Sequence, residues 1–147
     1  MTPTEIQNFC RELIAADDRL IAACCGCSCM DDGNFAAALE KAHGLGGSGI
    51  HAVVSSPTFA PSSNAAKNAV GTLRLKVAIS EVPNINRKRA GAISAADAAW
   101  HIAWLINQAR AHDGTMLVLD GEIAPSVNSA GDTVVYSVSF SCINQLR

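Results

Sequence analysis

Residues 72–81 read Thr-Leu-Arg-Leu-Lys-Val-Ala-Ile-Ser-Glu, and in this stretch apolar side chains alternate with mostly polar ones. Alternation with a period of two is typical of a β-strand that buries one face. Residues 133–142 repeat the pattern, with one face formed by Val134, Tyr136, Val138, Phe140 and Cys142. A helical stretch lies between the two segments, so the chain is expected to form a small sheet packed on helices.

The helices are predicted from their capping residues and apolar spacing. Thr4 can cap a first helix that runs to Ala16, and Ser94, with Asp97 three residues later, can cap a long helix that runs to Ala111. A turn signal at 31–34 precedes a short helix over 35–42. Residues 20–25 are too short to assign by periodicity, and both a strand and a helical turn remain open for them.

Further strands are predicted at 50–55 and 115–123, and residues 61–67 read as a polar loop. Consecutive strands of this kind can pair directly. We therefore predict an α+β fold, with a mainly antiparallel four-stranded sheet packed against two to three helices. At 147 residues, the chain is expected to be a single domain spanning 1–147.

Composition excludes several classes of function. A net charge of −2 leaves no overall basic footprint for nucleic acid, so we expect no sequence-specific binding to it. No run approaches the roughly 18 apolar residues of a membrane span, and no leader pattern opens the chain. We expect a cytosolic protein without a membrane partner. Because only 16% of its residues are charged, part of its surface is expected to be covered by self-association.

Four cysteines lie within six residues, at Cys24, Cys25, Cys27 and Cys29. Without a leader sequence they are expected to be thiols rather than disulfides. Structural zinc sites usually use pairs of cysteines that are two to four residues apart, and the two pairs lie far from each other in the chain. These four cysteines are therefore interpreted first as small buried hydrophobes. A metal- or thiol-responsive binding module built on this cluster is the alternative function.

No motif for catalysis or nucleotide binding stands in the context that its chemistry requires. The segment 44–49 reads Gly-Leu-Gly-Gly-Ser-Gly, but it follows a predicted helix and precedes a strand, the reverse of the dinucleotide-binding order. A helix end and turn is the better interpretation. The four histidines form no metal-binding pair, and a nucleophile at Cys10 would need a lowered thiol pKa. We expect no enzyme, no cofactor and no metal.

Two features can mark a contact surface. Trp100 and Trp104 lie four residues apart on the long helix, which is apolar almost all round, so they belong either to a buried core helix or to a subunit interface. The cluster Arg87-Lys88-Arg89 is either a solvated loop or a contact for an acidic neighbour or nucleic acid. With Asn86, these residues are the candidate oligomer and partner contacts.

Residues 73–146 resemble tail terminator and tail-completion proteins of long-tailed bacteriophages and prophages. The resemblance is carried by the alternating strand 73–79, the turn Glu-Val-Pro-Asn-Ile-Asn-Arg at 81–87, the small-residue helix after Ser94 and the ending 135–140. The order of the preceding elements is also similar.

The resemblance implies a structural α/β subunit without catalysis or cofactor. Such subunits assemble into a homo-oligomeric ring at the head-proximal end of the tail tube, where they stop polymerisation and face the head connector. The implied partners are further copies of the chain, tail-tube protein and head-connector protein. The implied location is the host bacterial cytoplasm during assembly and then the virion tail.

Overall fold

A computed structural model describes residues 1–30, 35–62, 69–126 and 132–145 of the chain. It is α+β, as predicted, with an open mixed sheet and helices packed against it. The helices are α1 Pro3–Ala16, α2 Asp18–Ala22, α3 Phe35–His43, α4 Pro83–Asn86 and α5 Ala95–Ile106. The strands are β1 Gly26–Cys29, β2 Ile50–Val54, β3 Thr58–Pro61, β4 Val70–Glu81, β5 Val118–Leu119, β6 Ala124–Pro125 and β7 Val134–Gln145.

The structure differs from the predicted mainly antiparallel four-stranded sheet packed against two to three helices, since the described residues form seven strands and five helices. Within the described ranges the sheet has its strands in the order β1-β2-β4-β7-β5, with β3 beside β4 and β6 beside β7. Its first pair, β1 and β2, is parallel, because α3 carries the chain back between them. The antiparallel β4–β7 pair, in which Val70 faces Gln145 and Glu81 faces Val134, is the longest and forms the centre of the sheet.

The central strands confirm the alternation read from the sequence. Leu73, Leu75, Val77 and Ile79 of β4 are buried, as are Val138, Phe140 and Cys142 of β7. They share one core with α1 and α5, to which Ile6, Ile14 and Ile102 contribute. The opposite face of β4 and β7 carries exposed Arg74 and Lys76. The core therefore lies between the sheet and the helices.

Several predicted boundaries were wrong. Thr2, rather than Thr4, caps α1, because Thr2 and Glu5 form a reciprocal capping box around Pro3. Of the two alternatives left open for residues 20–25, the helical turn is the correct one, since Asp17 accepts from the Leu20 N–H and starts α2. The predicted strand 115–123 is interrupted, with Gly121 in a left-handed conformation between β5 and β6.

The long helix ends at Ile106 instead of Ala111. Gln108 takes a left-handed conformation, and its N–H donates to the Leu117 carbonyl at 2.7 Å. Asn107 Oδ1 accepts from the Leu119 N–H at 2.9 Å. Hydrogen bonds to the returning chain therefore end a helix that local propensity would have continued. The turn signal at 31–34 and most of the predicted loop 61–67 lie outside the described residues, but Pro61 belongs to β3.

Candidate interaction surface

Helix α5 buries one face and exposes a pair of tryptophans on the other. The Ser94 hydroxyl accepts from the Asp97 N–H at 3.1 Å and starts the helix. The buried face consists of Ala95, Ala98, Ala99, Ile102, Ala103 and Ile106. Trp100 and Trp104 point away from it and are 71% and 73% exposed. The interpretation that the whole helix is buried in the core is therefore wrong for the face that carries the two tryptophans. We call Trp100 and Trp104 the helix patch.

The helix patch is supported by a fixed polar pair. The His101 ring stacks on Trp104, with centroids 5.7 Å apart and an angle of 21° between the planes. His101 Nε2 lies 2.8 Å from Asp17 Oδ2, at the junction of α1 and α2. Burial acts to raise the pKa of Asp17, but the Leu20 N–H and His101 outweigh it and hold that pKa below its ordinary value. Trp104 therefore stacks on a ring that a hydrogen bond joins to the α1–α2 junction.

An open cavity of about 380 Å³ runs beside the helix patch. Arg19 and Asp97 line it together with Trp100, His101 and Trp104. Two indole faces beside a carboxylate and a guanidinium make a surface with both apolar area and charge. Contact surfaces between proteins favour this combination, because tryptophan and arginine concentrate binding free energy.

The Asn86–Arg89 loop is partly turned inward. Asn86 is fully buried, and its Nδ2 donates to Glu81 Oε2 and to the Ile93 carbonyl, both at 2.7 Å. Arg87 Nε donates to the same Glu81 Oε2 at 3.2 Å, and the Ala95 N–H donates to Oε1 at 3.0 Å. Burial acts to raise the pKa of Glu81, but these donors outweigh it and the pKa is lowered. The loop is thereby fastened to the end of β4.

The two remaining basic residues of the loop differ. Arg89 Nη2 donates to Asn86 Oδ1 at 2.6 Å and to the Ser48 carbonyl at 3.3 Å, so Arg89 joins the loop to the glycine-rich segment. Lys88 is exposed, and so is much of Arg87. A partner that docks on this loop would meet Lys88 and the outer part of Arg87, whereas Asn86 lies beneath them.

The sequence contained a signal that the Glu81 carboxylate is buried, although the charge of a glutamate by itself suggests an exposed position. The odd-numbered positions of β4 from Leu73 to Ile79 are buried, and Glu81 is next in that series. Alternation therefore predicts a carboxylate on the core face. The Asp17–His101 pair joins residues 84 positions apart, so no local sequence pattern predicts it.

The four clustered cysteines do not converge. Cys24 is exposed in a left-handed turn after α2, whereas Cys25 is buried and Cys27 and Cys29 belong to β1. Burial raises the pKa of Cys25 to about 12 and also raises that of Cys27. In the described part of the chain, no group of three or more metal-ligating side chains is arranged to hold an ion.

Cys10 and the glycine-rich segment have structural surroundings. Cys10 is completely buried, and burial raises its pKa to about 12, the opposite of what a nucleophilic thiol needs. The segment 44–49 follows α3 and precedes β2, as predicted. A Cβ at Gly47 would lie 2.1 Å from the Lys41 carbonyl oxygen, and a Cβ at Gly49 would lie 2.6 Å from the Asn86 nitrogen. These glycines let the chain pass close to its neighbours.

Comparison with known proteins leaves the surface as the principal guide to function. No protein-family model matches the chain, and no curated protein matches it either. Within the described ranges, no helix is both long and apolar enough to cross a membrane.

Proposed function

We propose that this chain is a structural subunit that acts by assembly, and that it is a tail terminator or tail-completion protein of a long-tailed bacteriophage or prophage. The observation that carries the proposal is the helix patch. Two neighbouring tryptophans are more than two-thirds exposed on a helix whose other face is fully packed. Large exposed aromatic side chains are unfavourable in water and favour a site that another protein covers.

In this role, copies of the chain form a ring on the head-proximal end of the tail tube. The ring stops tube polymerisation and presents a surface to the head connector. The helix patch is the proposed contact between subunits. Lys88 and the exposed part of Arg87 are the proposed contact with tail-tube or connector protein, because they are the outward-facing charges of the loop.

The construction of the surface supports an assembly role. The Asp17–His101 pair and the stacked ring hold Trp104 in place before any partner arrives. A preorganised contact loses less conformational entropy on association. The low charged fraction of 16% acts in the same direction, because fewer charges must be desolvated when subunits meet.

Size-exclusion chromatography coupled to light scattering tests the proposal over a wide range of protein concentration, with and without tail tubes of the same phage. The expected result is a closed oligomer, or a discrete complex that caps the tubes. Leu45→Lys provides a matched control, because Leu45 is an exposed apolar residue on the glycine-rich segment outside the proposed contacts. A chain that stays monomeric at every concentration and ignores tail tubes would overturn the proposal.

A further inference from the structure

A second apolar patch lies on the open face of the sheet. Ile143 of β7 is 70% exposed, and Val70 of β4 and Val118 of β5 are also exposed. The strand register places them on one face: Ile143 pairs with Thr72, two residues from Val70, and Val118 pairs with Ser141, two residues from Ile143. Diagonal neighbours of this kind lie roughly 7–8 Å apart. We call Val70, Val118 and Ile143 the sheet patch.

The sheet patch and the helix patch lie on opposite layers of the subunit. The core-facing residues of β4 and β7 pack against α5, and the sheet patch is on the other face of the same strands. Trp100 and Trp104 point outward from the far side of α5. Each subunit therefore presents one aromatic and one aliphatic surface, facing away from each other.

The last turn of α5 brings Trp104 level with one residue of the sheet patch. Helix α5 begins at the end of β4, where the Ala95 N–H donates to Glu81. It ends beside β5, where Asn107 accepts from the Leu119 N–H. Trp104, in that last turn, and Val118 of β5 thus lie at a similar level along the strands, on opposite sides of the subunit.

From this arrangement we infer that neighbouring copies pack head to tail, with the helix patch of one copy on the sheet patch of the next. This inference rests on the proposed assembly function and names the surfaces that form its subunit contact. A head-to-tail contact generates a ring when its rotation closes, whereas a patch that pairs with itself generates a twofold dimer.

The charges around the two patches favour the head-to-tail pairing. Asp97 is exposed beside the helix patch, together with Arg19. Lys76 is exposed on the sheet face and forms no ion pair among the described residues, and Arg74 there is paired with Asp120 at 3.0 Å. Packing one sheet patch on another would bring each Lys76 towards its own copy. A helix patch instead offers Lys76 the carboxylate of Asp97 and two indole faces, which attract a cation, although the Arg19 cation borders the same cavity.

Complementation between two single variants tests the inference by light scattering. Trp104→Lys places a charge in the helix patch, and Ile143→Lys places one in the sheet patch. Each variant alone is expected to be monomeric at a concentration where the wild-type chain assembles. Their equimolar mixture is expected to contain a heterodimer of twice the monomer mass. One intact contact forms between the two variants, and the lysine at each outer end of the pair blocks the addition of further copies.

The results that would contradict the head-to-tail pairing differ from those that would contradict the assembly function. If Ile143→Lys assembles like the wild-type chain and the mixture gains no new species, the head-to-tail pairing is overturned while the assembly function stands. If the wild-type chain neither self-associates nor binds tail tubes, the proposed function fails and the pairing fails with it. Leu45→Lys should assemble normally, and both patch variants should keep the wild-type unfolding midpoint when it is measured at a concentration where the wild-type chain is monomeric.

Discussion

The Asn86–Arg89 loop and the helix patch invert the usual relation between side-chain chemistry and location. The loop is the most polar stretch of the chain, yet Asn86 is buried and Arg87 and Arg89 bond to groups of the fold. The helix patch is the most aromatic stretch, yet it faces solvent. The difference shows that the loop stabilises the fold, while the helix patch contributes little to the core. The two regions can therefore be separated by mutation.

Glu81→Ala is expected to have the largest effect on folding. It removes the acceptor of Asn86, Arg87 and the Ala95 N–H, and leaves buried donors without a partner. We expect a loss of about 3 kcal/mol in the free energy of unfolding. Urea denaturation followed by circular dichroism measures it. A loss below about 1 kcal/mol would mean that water replaces the carboxylate at little cost.

Trp104→Ala is expected to act on assembly and leave folding nearly unchanged. Trp104 is exposed and contributes only the stacking contact with His101, so we expect the unfolding free energy of the monomer to fall by less than about 1 kcal/mol. A tryptophan at the centre of an interface contributes at least about 2 kcal/mol to association, which is about a 30-fold change in the association constant. Analytical ultracentrifugation measures assembly, and urea denaturation at a concentration where both chains are monomeric measures folding separately, because assembly itself stabilises the folded state. A large fall in stability with unchanged assembly would contradict the assignment.

Two charge reversals one residue apart separate the role of the loop in folding from its proposed role in binding. Arg87→Glu places a second carboxylate beside buried Glu81, so we expect a loss of about 1–2 kcal/mol in unfolding free energy. Lys88→Glu makes the same change of charge one residue later, on an exposed side chain, and is expected to leave stability unchanged. Lys88→Glu is thus the cleaner probe of the proposed contact with tail-tube protein. Equal destabilisation by both variants would mean that charge, rather than contact with Glu81, matters here.

The smallest expected effect is a gain in stability. Cys24 has a φ of 56° after α2, a left-handed conformation that is unfavourable for residues other than glycine. Cys24→Gly is expected to stabilise the chain by about 1 kcal/mol, measured as a higher midpoint of thermal unfolding. Gln108→Gly, at φ 65° after α5, is the matched variant at the other helix end. A lower midpoint for Cys24→Gly alone would indicate that its thiol makes a stabilising contact.

The sequence predicted those elements whose signal is local and repeated. Strands β4 and β7 were predictable because every second residue is buried over many positions, and the start of α5 because Ser94 is a standard cap. The end of α5 was not predictable, because the carbonyl of Leu117 and the N–H of Leu119 that fix it come from the returning chain. Local propensity carries no information about such partners.

The candidate surface was likewise only partly predictable from the sequence. Helical spacing placed Trp100 and Trp104 on one face, but only packing decided that this face is the outer one. The direction of Arg87 and Arg89 depended on burial of Glu81 and on the Ser48 carbonyl, which are tertiary features. The sheet patch needs the register of three strands, and the strand predicted over 115–123 did not show the break that confines β5 to Val118–Leu119.

The Glu81 carboxylate also bears on the order in which the chain folds. It joins groups only 5, 6 and 14 residues away, whereas the β4–β7 ladder joins residues more than 50 apart. Closing the shorter loops loses less chain entropy, so the end of β4 and the start of α5 should meet before β7 adds to the sheet. Removing the Glu81 side chain should then slow refolding more than it speeds unfolding. That result would make Glu81 and its hydrogen-bond donors part of the folding nucleus.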